Sequence, residues 1–457
     1  MTMTSLTIAQ YQQARLTRDA RFDGLFFIAV KTTGIFCRPI CPASPPKEAN
    51  VEYFEHAAMA AYAGYRPCLR CRPDSAPGSC AWRGNKTTFQ RAIRLIEEGA
   101  LQYQTLPQLA QRLGITDRYL RQLFHKHLGL SPKYYAQFHQ LMFAKQLLHI
   151  SKLSIADIAL AAGFNSIRRF NDAFKRVLKL TPSELRSHPV ISENQLPLTY
   201  RATLHWSHML AFYQLRLVKD VESIEGQTYR RNVRINAAVG WFSITPQVNG
   251  TLLLKFGLSD VSELKNLVTQ VRRVFDLDAD LLSIEQHLAK TGLQPILTPG
   301  LRIPGVWSTW EAGVRAIIGQ QVSLKAAIGQ LNALVQSINS QETVQGLTLS
   351  LFPTPQQVVQ TDLSFLKMPT SRKETLHRFA EYMCQHPDKH PTEWLALKGI
   401  GPWTVNYAQL RGLSEPNCFL ATDLVVKKAL AHTKITSPDS FSPWGSYATF
   451  HCWNAQS

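Results

Sequence analysis

Four cysteines in two close pairs constrain the fold of this chain more than any other feature of its sequence. Cys37 and Cys41 are separated by three residues, Cys68 and Cys71 by two, and 26 residues lie between the pairs. This spacing suits tetrahedral zinc, because two short turns can bring four thiolate sulfurs around one ion. The spacing by itself favours a purely structural zinc site. A reactive zinc-bound thiolate is the alternative.

Size and charge indicate several domains, some of which bind a polyanion. The chain has 457 residues, 45% of them hydrophobic, and a formal net charge of +18. At about 100–200 residues per domain, roughly three domains are expected. Residues 1–190 hold 26 Lys and Arg against 12 Asp and Glu, whereas the remainder holds 24 against 20. The one-sided surplus favours a nucleic acid partner, with a merely solvated basic surface as the alternative.

The sequence carries no sign of export or membrane insertion. The first ten residues lack a signal-peptide pattern, and no stretch approaches the roughly 18 apolar residues of a membrane span. We therefore expect a cytoplasmic protein without a membrane partner. In that compartment the eight cysteines are expected to be metal ligands or nucleophiles and not disulfides.

An internal repeat with helical periodicity occupies residues 105–177. Apolar residues recur at helical spacing on both sides of Gly114 and again on both sides of Gly163. The first set is Leu106, Leu109, Ala110, Leu113, Tyr119, Leu120, Leu123 and Phe124, and the second is Ile155, Ile158, Ala159, Ala162, Phe170, Ala173, Phe174 and Val177. Each copy predicts a helix-turn-helix. Residues 131–150 predict a connecting helix, and 181–186 a cap and short closing helix.

The repeat resembles the AraC-type DNA-binding domain, through the segments IADIALAAGFNSIRRFNDAFK and LTPSELR, over residues 84–187. A recognition helix needs hydrogen-bond donors on the face opposite its core stripe. The candidates are Arg118 and Arg121 in the first unit and Asn165, Arg168, Arg169 and Lys175 in the second. Helix pairs that serve only a structural purpose are the alternative.

The cysteine region resembles the N-terminal domain of the Ada methylation-response family, through AVKTTGIFCRPICPA and AGYRPCLRCRPD, over about residues 10–78. The resemblance implies that Cys37 is both a zinc ligand and a nucleophile, which takes a methyl group from a DNA methylphosphotriester once and is not regenerated. Candidates to hold the flanking phosphates are Thr32, Thr33, Arg38, Arg66, Arg70 and Arg72. Ser44 stands where the family often has a basic residue. The Pro-Cys-His-Arg site of a second methyltransferase does not occur in the sequence.

The last 260 or so residues begin with strands and continue with helices. Strand signals fall at 199–206 and 228–257, with Asn249-Gly250 as a two-residue hairpin turn. Farther on, Gly399, Ile400 and Gly401 form a tight turn whose backbone could approach a phosphate. An ordinary interhelical turn is the commoner explanation for such a pattern. Asp423 follows at the start of a predicted helix, where it could also be a simple cap.

This region resembles the helix-hairpin-helix glycosylases of the 3-methyladenine DNA glycosylase II (AlkA) type, over about residues 198–457. The segments that carry the likeness are GLRIPGVWSTWEAGVRAIIGQQVS, LFPTP, LKGIGPWTVNYAQLRGL and PWGSYATFHCW. The resemblance implies an essential aspartate at Asp423, a DNA-binding hairpin at 398–402 and, near the flipped base, Gln320 with the wedge residue Gln321. It implies a base pocket formed by Phe212, Trp403, Tyr407 and Trp453, for which ordinary core packing is the alternative.

Two departures from relatives define the expected chemistry further. Lyase-capable relatives have a lysine where this chain has Trp403, so we expect a monofunctional glycosylase that leaves an abasic site. Some relatives hold an iron–sulfur cluster on four close cysteines, whereas Cys384, Cys418 and Cys452 are three and lie far apart. No iron–sulfur cluster and no organic cofactor are expected beside one Zn²⁺.

The sequence therefore predicts a multidomain protein, mainly α with α+β parts. The predicted order is a zinc-binding α+β domain (1–80), an all-α double helix-turn-helix domain (84–187), a linker (188–197), a small α+β lobe (198–299) and a helix-hairpin-helix body (300–457). We expect a monomer that repairs alkylated DNA and regulates transcription, with double-stranded DNA and RNA polymerase as candidate partners. The alternative is a regulator whose glycosylase domain is inactive and only binds DNA.

Overall fold

The computed structural model describes residues 7–18, 22–73, 85–186, 194–248, 250–344, 346–431 and 438–455. The chain divides into two compact units, Met1–Gln137 and Phe138–Ser457. The boundary lies inside one long helix, in the middle of the double helix-turn-helix region.

The cysteine region is built on a small sheet. Helix α1 (Ile8–Thr17) precedes strands β1 (Phe27–Val30), β2 (Ile35–Cys37), β3 (Val51–Phe54) and β4 (Arg66–Pro67), with α2 (Ala57–Tyr62) before β4. The strand order is β3-β1-β2-β4, and β4 runs parallel to β2. Since Phe36 pairs with Pro67, Cys37 and Cys68 follow at the same end of neighbouring strands.

The first helix-turn-helix unit is entirely helical. Its helices are α3 (Asn85–Glu97), α4 (Ala100–Tyr103), α5 (Leu106–Arg112), α6 (Asp117–Leu128) and the beginning of α7 (Pro132–Ile150). The predicted stripe is buried at Leu109, Leu120 and Phe124, which share one core. Tyr119 departs from the prediction, because its side chain lies on the solvent side of α6 and is 37% exposed.

The second unit repeats the arrangement with α8 (Ile155–Ala161), α9 (Ile167–Leu178) and α10 (Pro182–Leu185). Ile158, Phe170 and Phe174 are fully buried, as the periodicity predicts. The connecting helix α7 and the short closing helix α10 are confirmed.

A five-stranded antiparallel sheet forms the lobe that follows. Its strands are β5 (Gln195–Leu198), β6 (Glu222–Glu225), β7 (Thr228–Ile235), β8 (Ala238–Pro246) and β9 (Leu252–Leu258), in the order β5-β9-β8-β7-β6. The predicted strand at 199–206 is wrong: the strand lies at Gln195–Leu198, inside the segment expected to be a linker. Alternating burial in QLPL against β9 explains the shift. The predicted turn falls partly outside the described residues, because Asn249 is not among them.

The remainder is mainly helical. The helices are α11 (Trp206–Gln214), α12 (Leu264–Val274), α13 (Leu281–Ala289), α14 (Thr309–Gly319), α15 (Leu324–Ile338), α16 (Pro355–Val359), α17 (Thr370–Gln385), α18 (Pro402–Gly412), α19 (Leu424–Leu430) and α20 (Gly445–Asn454). A hairpin of β10 (Gln341–Val344) and β11 (Leu347–Ser350) interrupts them, which the sequence did not indicate. The predicted fold class, mainly α with α+β parts, is confirmed.

One apolar core runs from the second helix-turn-helix unit into the sheet lobe. Leu141, Phe170 and Phe174 belong to the same buried cluster as Leu196 of β5 and Phe275, which follows α12. Among the described residues, no helix is both long and apolar enough to cross a membrane.

Candidate active site and metal centre

The four cysteines of the two pairs meet at one point. The sulfur atoms of Cys37, Cys41, Cys68 and Cys71 all lie within 4.8 Å of one another, and those of Cys41 and Cys68 are 3.9 Å apart. Four sulfurs at about 2.3 Å from a zinc ion form a tetrahedron with edges of about 3.8 Å. The backbone N–H of Arg38 donates to the Cys71 sulfur at 3.3 Å. The donor set and its spacing fit Zn²⁺.

The crowded sulfurs ionise unequally. Contacts with the sulfurs of Cys41 and Cys71, together with burial, raise the pKa of the Cys37 thiol. Contacts with Cys37 and Cys71 lower the pKa of the Cys41 thiol to about 2. Four thiolates this close repel one another unless a cation lies between them. Cys37 is also the most exposed of the four, since Cys41 has an exposed fraction of 9% and Cys68 and Cys71 of 7% each.

The predicted phosphate contacts near the cysteines separate into two groups. Thr32, Thr33, Arg66, Arg70 and Arg72 are exposed. Arg38 is buried at 3% exposure: its Nε–H donates to Asp23 at 2.8 Å and its Nη1 to the Cys71 carbonyl at 3.0 Å. The Arg38 guanidinium therefore braces the second cysteine turn and does not reach a phosphate on the surface, contrary to the prediction.

The predicted base-reading residues lie on exposed helix faces. Arg118 and Arg121 are exposed on α6, where Arg121 also pairs with Asp117 at 2.7 Å. Arg168, Arg169 and Lys175 are exposed on α9, and Asn165 in the turn before it. Both helices thus have an apolar inner face and a basic outer face, as a groove-binding helix requires.

The C-terminal unit contains a cavity of about 1100 Å³. Residues of α11, the end of α14, the start of α15, α18, the start of α19 and α20 line it. All four predicted base-pocket aromatics and Asp423 face it, as do Gln320, Gln321 and Gly401. The four aromatics are only partly buried, and Trp403 and Trp453 also pack against the neighbouring apolar core.

Asp423 accepts hydrogen bonds from two directions. Its Oδ1 accepts from the backbone N–H of Val425 at 2.9 Å and of Val426 at 3.2 Å, which caps α19. The indole N–H of Trp453 donates to the same oxygen at 3.3 Å, and that of Trp403 donates to Oδ2 at 3.2 Å. The carboxylate is therefore fixed both as a helix cap and as the charged wall of the cavity.

Aromatic rings lie beside the Asp423 carboxylate. The rings of Trp403 and Tyr407 stack at 5.4 Å between centroids, and Tyr407 and Trp453 lie 6.4 Å apart. A planar, electron-poor base against such rings would gain stacking and cation–π attraction. Trp403 occupies the lyase lysine position and holds Asp423 instead.

The predicted hairpin connects a 3-10 turn, Pro391–Ala396, to α18. Gly399 has a φ of 94°, and a Cβ there would lie 2.1 Å from Oγ1 of Thr375. Its carbonyl accepts from Nε2 of Gln320 at 3.1 Å. Gly401 has open space where a Cβ would be, so its backbone can be approached from outside. Gln321 is exposed at the cavity with a φ of 54°.

Comparison with known proteins gives three family matches. The metal-binding domain of Ada matches residues 10–74, a helix-turn-helix domain matches 109–188, and the AlkA N-terminal domain matches 195–308. The probable bifunctional transcriptional activator/DNA repair enzyme AlkA of Mycobacterium tuberculosis is 33% identical over 469 residues, covering 96% of this chain and 94% of that protein. The chain belongs to this bifunctional family.

Other relatives match its two halves separately. The DNA-3-methyladenine glycosylase 2 of Escherichia coli is 31% identical over 275 residues, which cover 56% of this chain and 95% of that enzyme. The bifunctional transcriptional activator/DNA repair enzyme Ada of Escherichia coli is 34% identical over 183 residues, covering 40% of this chain and 50% of that protein. The predicted three-part fusion is confirmed.

The sequence did not indicate the arginines that line the cavity of this chain. Arg411 is buried, donates from Nη1 to the Tyr407 hydroxyl at 3.0 Å, and lies 4.9 Å from the Phe212 ring centroid. Arg216 lies 3.6 Å from the same centroid, and burial lowers its pKa to about 10. Phe212 therefore faces the cavity with its ring already engaged by two guanidinium groups. The spacing of Tyr407 and Arg411, one helical turn apart, could have indicated their contact.

A third cavity arginine belongs to a buried charge network. Arg315 pairs with Glu311 at 2.8 Å and with Glu222 at 3.4 Å, and Arg231 bonds both carboxylates. Burial alone would raise the pKa of Glu311, but Arg231 and Arg315 lower it below its usual value. The network neutralises Arg315, so its charge does not oppose a cationic base.

His208 adds a polar group at the cavity wall. Its Nε2 bonds Oδ1 of Asn454, and its ring meets the Phe450 ring edge-on at 6.1 Å. Burial lowers the pKa of His208, so the ring tends toward the neutral form. No motif in the sequence singled out this residue.

Proposed function

We propose that this chain is a DNA alkylation repair and response protein with two chemistries. The C-terminal unit is a monofunctional glycosylase that hydrolyses the N-glycosidic bond of alkylated bases of the 3-methyladenine and 7-methylguanine type. The cysteine site takes methyl groups from DNA methylphosphotriesters. The helix-turn-helix units bind DNA for transcriptional regulation. The domain limits predicted from the sequence remain part of this proposal, except that the sheet lobe begins with β5 (Gln195–Leu198).

The observation that carries the glycosylase is the placement of Asp423, hydrogen-bonded by two tryptophans, at the wall of a cavity that is large enough to admit a flipped nucleotide. The damaged nucleotide leaves the duplex and enters the cavity, where its base lies against Trp403, Tyr407 and Trp453. As the glycosidic bond breaks, positive charge develops on the sugar. The fixed carboxylate of Asp423 stabilises that charge and orients the attacking water.

The released base and an abasic sugar are the two products. Water supplies the hydroxyl on the sugar carbon and loses its other proton to solvent, and the electron pair of the broken bond stays with the base. An alkylated purine accepts that pair readily because it is already electron-poor. With Trp403 at the lyase position, no amine is present there to attack the sugar.

The observation that carries methyl transfer is the accessibility of Cys37 among three buried cysteines. The bound Zn²⁺ would hold its ligand sulfurs as thiolates at neutral pH. The Cys37 sulfur forms a bond to the methyl carbon, the carbon–oxygen bond of the triester breaks, and the phosphodiester departs with its negative charge. A methylated, uncharged phosphate approaches four thiolates without the repulsion that an ordinary phosphodiester meets.

We also propose the remaining partners and the setting. Double-stranded DNA is the substrate and the operator, and RNA polymerase is the partner that an activator requires. The exposed residues near the cysteines and on α6 and α9 are the proposed DNA contacts. Gln320, Gln321, Gly399 and Gly401 are proposed to hold the duplex at the cavity. The protein is proposed to act as a cytoplasmic monomer.

An excision assay tests the enzyme. The full chain and its Asp423→Asn variant are incubated with duplex DNA that contains 3-methyladenine or 7-methylguanine, and free base is measured in single turnover. We expect the variant to be slower by roughly a hundredfold to a thousandfold. Asp388→Asn, an exposed carboxylate outside the cavity, is the matched control. Equally slow release by wild type and Asp423→Asn would favour the inactive, DNA-holding alternative.

Mass spectrometry tests the methyl acceptor. Zinc-loaded protein is mixed with DNA that carries methylphosphotriesters, and peptides are searched for a methyl adduct. The adduct is expected on Cys37 and not on the partly exposed Cys384, which lies in the other unit. A zinc-loaded protein that never acquires the adduct would leave the site purely structural.

A further inference from the structure

The second helix-turn-helix unit packs directly on the glycosylase half. Ile155 of α8 and Val261 of the 3-10 turn Val261–Glu263 lie against the same buried cluster. Nε2 of Gln146 on α7 donates to the carbonyl of Pro197 in β5 at 3.4 Å. Leu196 and Leu198 of that strand are buried in the cluster. The second helix-turn-helix unit and the sheet lobe are therefore connected through a shared apolar core.

The same core holds the recognition-like helix α9 in place. The Phe170 ring contacts Phe164 and Phe174 at 5.3 and 5.4 Å between centroids. Nε2 of Gln140 donates to the Gly163 carbonyl in the turn between α8 and α9. With its inner face fixed in this way, α9 leaves Arg168, Arg169 and Lys175 exposed on its outer face.

The charge of the C-terminal unit is concentrated in this small part. Residues 138–186 hold 8 Lys and Arg against 3 Asp and Glu, whereas residues 191–457 hold 24 against 20. Electrostatic affinity for DNA grows with the number of phosphates that cations neutralise. Residues 191–457 have nearly equal numbers of basic and acidic side chains and so contribute little electrostatic affinity for DNA. The basic face of α9 contributes that affinity within the same folded unit.

We infer that the second helix-turn-helix unit is a DNA-binding part of the glycosylase itself, which grips intact duplex beside the damaged base during excision. The inference rests on the proposed glycosylase activity. It assigns to α9 a second ligand, duplex of any sequence next to a lesion, in addition to an operator. The affinity of the glycosylase for a long lesion duplex then depends on α9.

The test compares two lesion duplexes, one of about one helical turn and one of about three turns, where a turn is roughly 10 base pairs. For the full chain, kcat/KM should be higher on the long duplex. In Arg168→Ala/Arg169→Ala this advantage should fall about tenfold, and the log–log salt slope of binding to the long duplex should fall by roughly two. The short duplex is the reference for each protein, so the ratio of the two kcat/KM values isolates the effect of added duplex length.

Arg118→Ala/Arg121→Ala makes the equivalent change on α6, in the other compact unit. We expect a smaller loss of the long-duplex advantage from this pair. Equal losses from the two pairs, or an unchanged ratio in the α9 variant, would overturn the inference. In both results the full chain still excises base from the short duplex, so they are distinct from a failure of the glycosylase itself, in which the full chain excises neither duplex.

A second variant tests the join. Val261→Asp places a charge in the contact between the 3-10 turn and the apolar cluster. In calorimetry of the unaltered chain we expect residues 138–186 to unfold in one transition with the sheet lobe. In Val261→Asp they should unfold separately, with loss of the long-duplex advantage. A transition that stays single while the advantage persists would contradict a shared core. The surface variant on α9 touches no core residue, so its result does not depend on this one.

Discussion

At the scale of single residues, Asp423 shows how a common structural task can prepare a chemical one. Capping α19 fixes the torsion angles of the side chain, and the indoles of Trp403 and Trp453 fix both oxygens. A carboxylate held this way needs little reorganisation as charge develops beside it. The capping interpretation and the catalytic interpretation, which compete in the sequence, describe the same geometry.

The two glycines of the hairpin should respond differently to alanine. Gly399→Ala should destabilise the C-terminal unit by about 1–3 kcal/mol, because the φ is left-handed and the new Cβ would collide with Thr375. Gly401→Ala meets no atoms, so it should fold normally and weaken binding to lesion DNA. Urea unfolding and DNA titration measure the two effects. Normal stability in Gly399→Ala would contradict the clash.

Half-buried Asp276 should make stability depend on pH. Burial raises its pKa to about 7, from an ordinary value of 3.8. Between these values the folded protein keeps a proton that the unfolded chain has lost, so the free energy of unfolding falls as pH rises through this window and then levels off. Asp276→Asn, whose Oδ1 can still accept from Ile303 and Tyr447, should remove the fall, on the order of a few kcal/mol.

Urea unfolding at pH 5 and pH 8 measures this difference. Asp278→Asn is the control, because that carboxylate is 71% exposed and pairs with Arg272 at the surface. An equal pH dependence in the wild type and in Asp276→Asn would show that another group is responsible.

The sequence predicted the reactive residues better than their support. Asp423 and the four aromatics were predicted to lie together, as were the four cysteines, because each set belongs to a motif with a specific chemistry; their chemical roles stay predictions. Arg38, Arg216 and Arg411 were misread or missed, since an isolated arginine usually lies in solvent. Only the fold shows that Arg38 pairs with half-buried Asp23, or that Arg411 lies close to the rings of Phe212 and Tyr407.

At the scale of elements, the helix-turn-helix repeat is specified twice over, by apolar periodicity and by its caps. Thr105 with Gln108 and Ser154 with Asp157 form capping boxes at equivalent helices of the two units. The side chains of Thr116 and Ser166 cap the second helix of each. These local signals agree with the core pattern, which is why the helices were predicted with near-correct limits. Strand β5 carries no comparable signal, because its position depends on pairing with β9.

Removing one cap should weaken the unit that contains it. Ser154→Ala deletes the acceptor for the Asp157 N–H at 3.0 Å and should cost about 1 kcal/mol. The loss should be seen in the unfolding transition of residues 138–457, since α8 packs on the lobe. Ser207→Ala, at an exposed position inside α11, should leave that transition unaltered or slightly higher. A loss as large in Ser207→Ala would mean that capping is not the cause.

At the scale of the whole molecule, the two proposed chemistries lie in different compact units. The cysteines belong to Met1–Gln137, and every residue that lines the cavity lies between His208 and Asn454. The family resemblance predicted both sites and their order. It did not predict that the division would fall within α7, because that depends on which neighbours bury the second helix-turn-helix unit.

Removal of zinc should therefore separate the two activities. A strong chelator should abolish methyl transfer to Cys37 and make the N-terminal unit susceptible to trypsin, because the thiolates would then repel one another. Excision from a short lesion duplex should be unaffected. Both readouts come from one chelated sample, with re-addition of Zn²⁺ as the control. Loss of excision that zinc restores would show that the units depend on each other.

The shared core of the second helix-turn-helix unit and the lobe should also hold two fragments together after the backbone between them is cleaved. A backbone cleaved between residues 187 and 193 would yield two fragments whose apolar surfaces, around Phe174 and Leu196, were buried together. Exposing them to water is unfavourable. The fragments should therefore stay associated through gel filtration, and their separately produced pieces should reassemble on mixing.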